Sequence, residues 1–244
     1  MMIRYSTTLA VFLLSPLLFL SAQEEAPEPE TSINLGFNLT RGNQDTVLFE
    51  LGGESIRPYG DHTLNLSASY AYGETQTDEE DITTRDTSTA KIRYDYTFSD
   101  PWFGYAEAET LRDELASIDY RVTAGPGFGS QLVKTETFEL TVEAGAAWVA
   151  EKVDEQSNGD LAARAGQKLR WDLSDNAKLT QSVNYLRKFN DDGDELIDAR
   201  ITAESILTGN LSLRLDLKNR YESNPAEGKD SNNLTLTAGV AVKM

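Results

Sequence analysis

Apolar and polar residues take turns along most of this chain. In LSLRLDLKNRYE, residues 211 to 222, Leu211, Leu213, Leu215 and Leu217 alternate with Ser212, Arg214, Asp216 and Lys218. A period of two puts one row of side chains on each face of a β-strand, so one face is apolar and the other carries charge. The alternation recurs in about twelve stretches, too many for one small sheet. It predicts strands near 32 to 40, 46 to 56, 63 to 72, 84 to 98, 102 to 110, 119 to 132, 137 to 150, 160 to 172, 177 to 189, 196 to 207, 210 to 222 and 232 to 243. The fold class is all-β. Alternation alone leaves two architectures open. A soluble sandwich buries its apolar rows between sheets, whereas a transmembrane barrel puts them in lipid and the polar rows in a lumen.

The segments between strands help to choose. RGNQD, GETQTDEEDIT, LRDELASI, EKVDEQSNGD, NDDGDE and ESNPAEGKDS are mostly long and acidic; RPYGDH, SDP, KTET, LSDN and TGN are short. In an up-and-down barrel every second connection lies at the same end, and outer-membrane barrels have short periplasmic turns and longer external loops. Tyr70, Tyr72, Tyr120, Trp148, Tyr185, Phe189 and Tyr221 stand beside the long connections, while Tyr94, Tyr96, Phe98, Trp102, Phe138 and Trp171 stand beside the short ones. Rings gathered at both strand ends match two membrane interfaces, where a soluble core would place them at strand centres. The expectation is an up-and-down antiparallel transmembrane β-barrel of about twelve strands over residues 32 to 244. A secreted soluble β-sandwich binding protein is the alternative.

The N-terminus agrees with export. Arg4 precedes the apolar run Leu9 to Leu20, and Ser21-Ala22 follow it. Residues 1 to 22 read as a cleaved signal peptide, because Ser15-Pro16 interrupt a run already shorter than the roughly 20 residues a spanning helix needs. Residues 23 to 31, QEEAPEPET, read as a flexible acidic lead-in. With 22 Lys and Arg against 40 Asp and Glu the net charge is -18, which excludes a nucleic-acid partner whose phosphates need basic compensation. The absence of Cys removes disulfides, thiolate nucleophiles and Cys metal sites.

Four segments carry a family resemblance in their order and spacing: LTRGNQDT (39 to 46), KIRYDYTFSDPWFGYAEAE (91 to 109), LRDELASIDYRVTAGPGFG (111 to 129) and YESNPAEGKDSNNLTLTAGVAVKM (221 to 244). The chain resembles the outer-membrane β-barrels of domain of unknown function family 481, described as salt-induced outer membrane proteins. The resemblance implies a Gram-negative outer-membrane location and no known reaction. It implies neither a cofactor nor an activity. Such barrels usually end in an aromatic residue that aids assembly, and this chain ends in Met244.

The expected function is that of an outer-membrane barrel linked to salt or envelope stress, either structural or a narrow channel for small hydrophilic solutes. Its expected partners are outer-membrane lipid, lipopolysaccharide and the barrel assembly machinery, with the protein a monomer. Placing the apolar rows in lipid puts Glu139, Glu143, Arg164, Lys168, Arg170, Arg214, Asp216, Lys218 and Arg220 in the lumen. Glu107 and Glu109 join them less directly. Glu139 and Glu143 are positioned to pair with Lys168 and Arg164 on the next strand. Such pairs either fill the lumen or make a transverse field across a narrow pore.

Other motifs carry less. The acids Asp191, Asp192, Asp194 and Glu195 form a weak rim candidate for a divalent cation, without the spacing of a calcium loop. Gly42-Asn43 suits a tight reversal, and GPGFG (125 to 129), with no helix after it, reads as close packing in the wall rather than a phosphate cradle. The single His, His62, falls in a short turn and reads as a solvated turn residue. It is the only side chain whose ordinary pKa suits a near-neutral base, and no triad pattern surrounds it, so an outer-membrane enzyme ranks third.

Overall fold

The computed structural model describes residues 29–40, 45–76, 81–190 and 193–244. The signal segment, Gly42-Asn43, Asp191 and Asp192 lie outside the described residues. Twelve strands follow one another: β1 (Glu30–Thr40), β2 (Asp45–Tyr59), β3 (His62–Gln76), β4 (Asp81–Ser99), β5 (Trp102–Asp113), β6 (Ile118–Lys134), β7 (Phe138–Val153), β8 (Gln156–Ser174), β9 (Ala177–Lys188), β10 (Glu195–Thr208), β11 (Leu211–Glu222) and β12 (Asn232–Lys243). Each pairs antiparallel with its neighbours in sequence, and β12 returns to pair with β1 in a closed barrel. Closure satisfies every edge, and the sandwich alternative is thereby excluded.

The two faces of the wall differ as the alternation requires. On β11 Leu213 is 49% exposed and Asp216 only 7%. An apolar row that faces outward while charge is sheltered inside is the reverse of a soluble protein. Tyr70, Tyr72, Tyr120, Trp148 and Phe189 form an exposed girdle toward one rim, and Tyr94, Tyr96, Phe98, Trp102 and Trp171 one toward the other. The second rim carries the short turns at 60–61, 100–101, 135–137, 175–176 and 209–210, and there β1 starts and β12 ends.

Strand lengths depart from expectation at the opposite rim. β4 and β8 each run 19 residues, where a membrane crossing needs roughly 9 to 11. The segment read as the loop EKVDEQSNGD is mostly hairpin, its turn reduced to Asp154 and Glu155 with φ of 49° and 67°, the paired left-handed conformation of a tight two-residue reversal. LRDELASI likewise shrinks to a connection at 114–117. The ladder continues past the bilayer because backbone pairing does not require lipid, and polar residues can carry it. His62 also departs from expectation. It opens β3, stacks against Tyr94 and Tyr96, and its Nδ1 lies 2.6 Å from the Tyr94 hydroxyl.

The wall is thin in two places. Gly125, Gly127 and Gly129 of β6 have no room for a Cβ: the rings of Phe103 and Tyr105 from β5 lie against Gly129 and Gly127, and the β7 backbone closes over Gly125. GPGFG is therefore close packing in the wall. At the seam, β1 pairs with β12 only from Ser32–Lys243 to Gly36–Gly239, the shortest ladder among the described residues. A Cβ on Gly239 would meet the Leu35 carbonyl and the Gly36 Cα.

Candidate functional site

All nine charges assigned to the lumen from alternation lie on the inward face, but their partners were only partly foreseen. Glu139 faces Arg170 at 3.7 Å, Glu143 takes Lys168 at 3.0 Å, and Arg164 crosses to Glu107 on β5. The expected pairs Glu139–Lys168 and Glu143–Arg164 are thus replaced by Glu139–Arg170 and Glu143–Lys168. The cause is register: Glu139 stands opposite Arg170, and Lys168 opposite Thr141.

The centre of this half of the barrel is Arg93, a β4 residue that sequence reasoning missed. Its guanidinium is buried and engages Glu143 at 2.8 and 2.9 Å, Asp95 at 2.8 and 2.9 Å and Glu107 at 3.2 Å. Glu143 belongs to β7, two strands beyond the neighbour of β4. It reaches Arg93 because β6 presents only glycines there and the Tyr105 ring lies flat, with Arg93 Cζ 4.1 Å from its centroid. Lys91 adds a contact of 3.0 Å to Glu107 and one of 3.7 Å to Glu109. Lys91, Arg93, Arg164 and Lys168 therefore balance Asp95, Glu107, Glu109 and Glu143. The signal was in the sequence: Lys91, Arg93 and Asp95 alternate through KIRYDY as a charged inward row.

A second set of pairs spans the rim bearing the extended strands. Arg121 on β6 bonds Glu151 on β7 at 2.5 Å and reaches Glu222 on β11 at 2.6 Å, across the lumen. Lys188 pairs with Glu151. Arg220 bonds Asp198 at 3.0 Å and crosses to Asp113 on β5 at 3.4 Å. Below Arg121, Ala147, Val149, Ala162 and Leu186 make a small buried apolar cluster on the inward face of β7 to β9, against which Leu196 packs.

The half formed by β10 to β12 and β1 to β3 is less filled. Arg214 bonds Asp216 at 2.6 Å and Asn34 at 3.0 Å; Asp216 also takes Arg200 at 2.9 Å and the Thr202 hydroxyl at 2.6 Å. Lys218 pairs with Glu50, which also accepts from Thr237 at 3.0 Å. Two cavities of about 160 and 190 Å³ border these groups, and a third of about 290 Å³ spans the lumen between them and β4, β5, β6, β8 and β9. In the order 290, 160 and 190 Å³ they form a series. The first two share Glu50, Ser69, Thr89 and Arg200, and the last two share Asn34, Glu54 and Arg214. The series runs from Asp113 and Arg121 near one rim to Glu30 and Lys243 at the other.

The two described rim acids, Asp194 and Glu195, each meet partners of their own. Asp194 takes Asn190 at 2.8 Å and Lys188 at 3.7 Å, while Glu195 accepts from Tyr185 at 2.8 Å and faces Arg187 at 3.6 Å. Among the described residues no group of three or more acids or His is arranged to hold a metal ion.

Twelve antiparallel strands closed around a charged lumen and ringed outside by apolar side chains define a β-barrel of the outer-membrane type. Residues 33–244 match the family described as protein of unknown function, DUF481, and the chain belongs to that family. Solved structures share the fold at low identity. A NanC porin aligns with TM-score 0.54 and 10% identity over 88% of this chain and 100% of that one. An outer membrane channel from Pseudomonas putida F1 gives 0.53 and 13% over 90% and 95%. The translocator domain of autotransporter NalP from Neisseria meningitidis gives 0.50 and 15% over 88% and 87%. No curated protein matches the chain in sequence.

Proposed function

We propose that the protein is an outer-membrane channel, a narrow passage for small hydrophilic solutes through a partly filled barrel. The observation that carries this reading is the series of three cavities with shared walls, from the rim at Arg121 to the rim at Lys243. A passage needs polar groups that stand in for hydration without holding a solute too firmly, and Ser69, Thr89, Asn34 and Thr237 supply them beside the charges. The cavities lie below the roughly 300 to 1,000 Å³ of typical small-molecule sites, which limits the solute to a small one. The apolar outer belt between two aromatic girdles supports an outer-membrane location; lipid and lipopolysaccharide as surroundings, delivery by the barrel assembly machinery and a monomeric state belong to the same proposal. A catalytic role draws no support from His62, which is stacked against Tyr94 and Tyr96 by the short turns.

The test is ion conductance across a planar bilayer after refolding the chain from residue 23 onward in detergent, with a heat-modifiable gel shift as proof of folding. Discrete steps whose ion selectivity moves toward cations in Lys218→Glu are the expected result. Silence from a folded barrel would favour the second reading, a filled structural barrel, for which the Arg93 cluster is the observation.

A further inference from the structure

We propose that the largest cavity is a binding site for one oxyanion, a carboxylate or phosphate, of a small hydrophilic solute, and that Arg85 is the residue that takes it. The inference rests on the channel reading only for how a solute reaches the cavity.

Six cationic side chains line this chamber of about 290 Å³. Five are already held: Arg121 by Glu151 and Glu222, Arg164 by Glu107, Arg200 by Asp216, Lys218 by Glu50, and Arg220 by Asp198 and Asp113. Arg85 differs. It reaches from β4 across the lumen to β12, where Nη1 donates to the Thr235 hydroxyl at 2.5 Å. No carboxylate of the described residues forms an ion pair with it, and its Nε is buried without a hydrogen-bond partner.

A guanidinium is always charged and presents five donors in a planar fork matched to a carboxylate or phosphate. Leaving such a donor buried and unsatisfied is costly, and native proteins rarely do so without a water or ligand to complete it. The lining carboxylates Glu50, Glu107, Glu109, Asp113 and Asp198 are each engaged by a cation, Glu109 by Lys91 at 3.7 Å, so the chamber's uncommitted charge is positive. Thr87, Ser182 and Asn233 in the same lining provide neutral groups for the rest of a hydroxylated solute. The acids Glu151 and Glu222 that tie Arg121 near the mouth keep that side of the chamber from competing with Arg85 for the anion.

Isothermal titration calorimetry on the folded barrel in detergent, in an uncharged buffer, tests this with three probes of one size class: glucuronate, glucose 6-phosphate and glucose. The expected result is saturable binding of one or both anions and none of glucose. Binding of glucuronate alone marks a carboxylate solute, and binding of glucose 6-phosphate alone a phosphorylated one. Arg85→Gln should weaken anion binding roughly ten- to a hundredfold, the value of a charge-assisted hydrogen-bonded contact. If Arg85→Gln does not fold by the gel-shift criterion, Arg85→Lys replaces it: charge without the fork should leave intermediate affinity. Failure of the wild type to bind either anion, equal binding of glucose, or unchanged affinity in the folded Arg85 variant would overturn the inference. Arg85-dependent binding without conductance would retain the site and end the channel reading; conductance without such binding would do the reverse.

Discussion

Arg93 on β4 clasps Glu143 on β7 with both terminal nitrogens, at 2.9 and 2.8 Å, although two strands stand between them. The pair crosses a corner of the lumen over the bare glycine surface of β6, and it turns one half of the barrel into a packed interior. Removing one partner leaves buried charge uncompensated, which costs about 3 to 5 kcal/mol. Arg93→Met is expected to lose that much in urea unfolding of the lipid-embedded barrel. The double variant with Glu143→Gln should recover a large part of it, because one orphaned charge is gone.

The thin wall at β6 makes a separate prediction. Gly127→Val should destabilise the barrel by about 1 to 3 kcal/mol through overpacking against the Tyr105 ring. Tyr105→Ala added to Gly127→Val should remove much of that penalty, read as a return of the thermal midpoint. Equal midpoints for Gly127→Val and the double variant would show that the ring contact is not the cause.

The outward row of β11 is expected to lie in hydrocarbon. Leu215→Arg, near the middle of that strand, should cost about 2 to 4 kcal/mol on a barrel's lipid face, seen as reduced folding yield in vesicles. Asp216→Asn, one residue away and facing the lumen, should leave the yield much closer to wild type. Reversed yields would invert the assignment of the two faces.

At the rim, the contact between Arg121 and Glu222 ties β6 to β11 across the opening. Glu222→Gln removes the tie while Glu151 still anchors Arg121. A higher single-channel conductance with selectivity moved toward anions is expected, because the freed guanidinium charge then faces the passage. Unchanged conductance and reversal potential would show that the contact does not narrow the entry.

The barrel was legible because the alternation in segments such as LSLRLDLK reports the one property lipid enforces, the segregation of apolar and polar faces. Beyond the bilayer that constraint lapses, which is why EKVDEQSNGD reads as a loop although most of it continues a hairpin. The inward position of each lumen charge follows from the same alternation. Its partner does not, because partners depend on register and on contacts across the lumen. Glu139 and Arg170 needed the register of β7 and β8, and Glu143 and Arg93 needed the glycines of β6 to be seen as open floor. Arg85 had no sequence signature at all; what distinguishes it is that, among the described residues, no carboxylate forms an ion pair with it.

The brief pairing of β1 with β12 acquires meaning from what lies behind it. Leu35, Gly36, Gly239 and Val240 border the second cavity, and Ser32 and Ala241 line the third. The barrel's suture is therefore stitched by few rungs and backed by empty space instead of a packed cluster. Backbone amides there should exchange with deuterium sooner than those of β4 to β8. In mechanical terms the cylinder has a stiff spine on one side and a zip on the other, and the zip is where the last strand is sewn to the first.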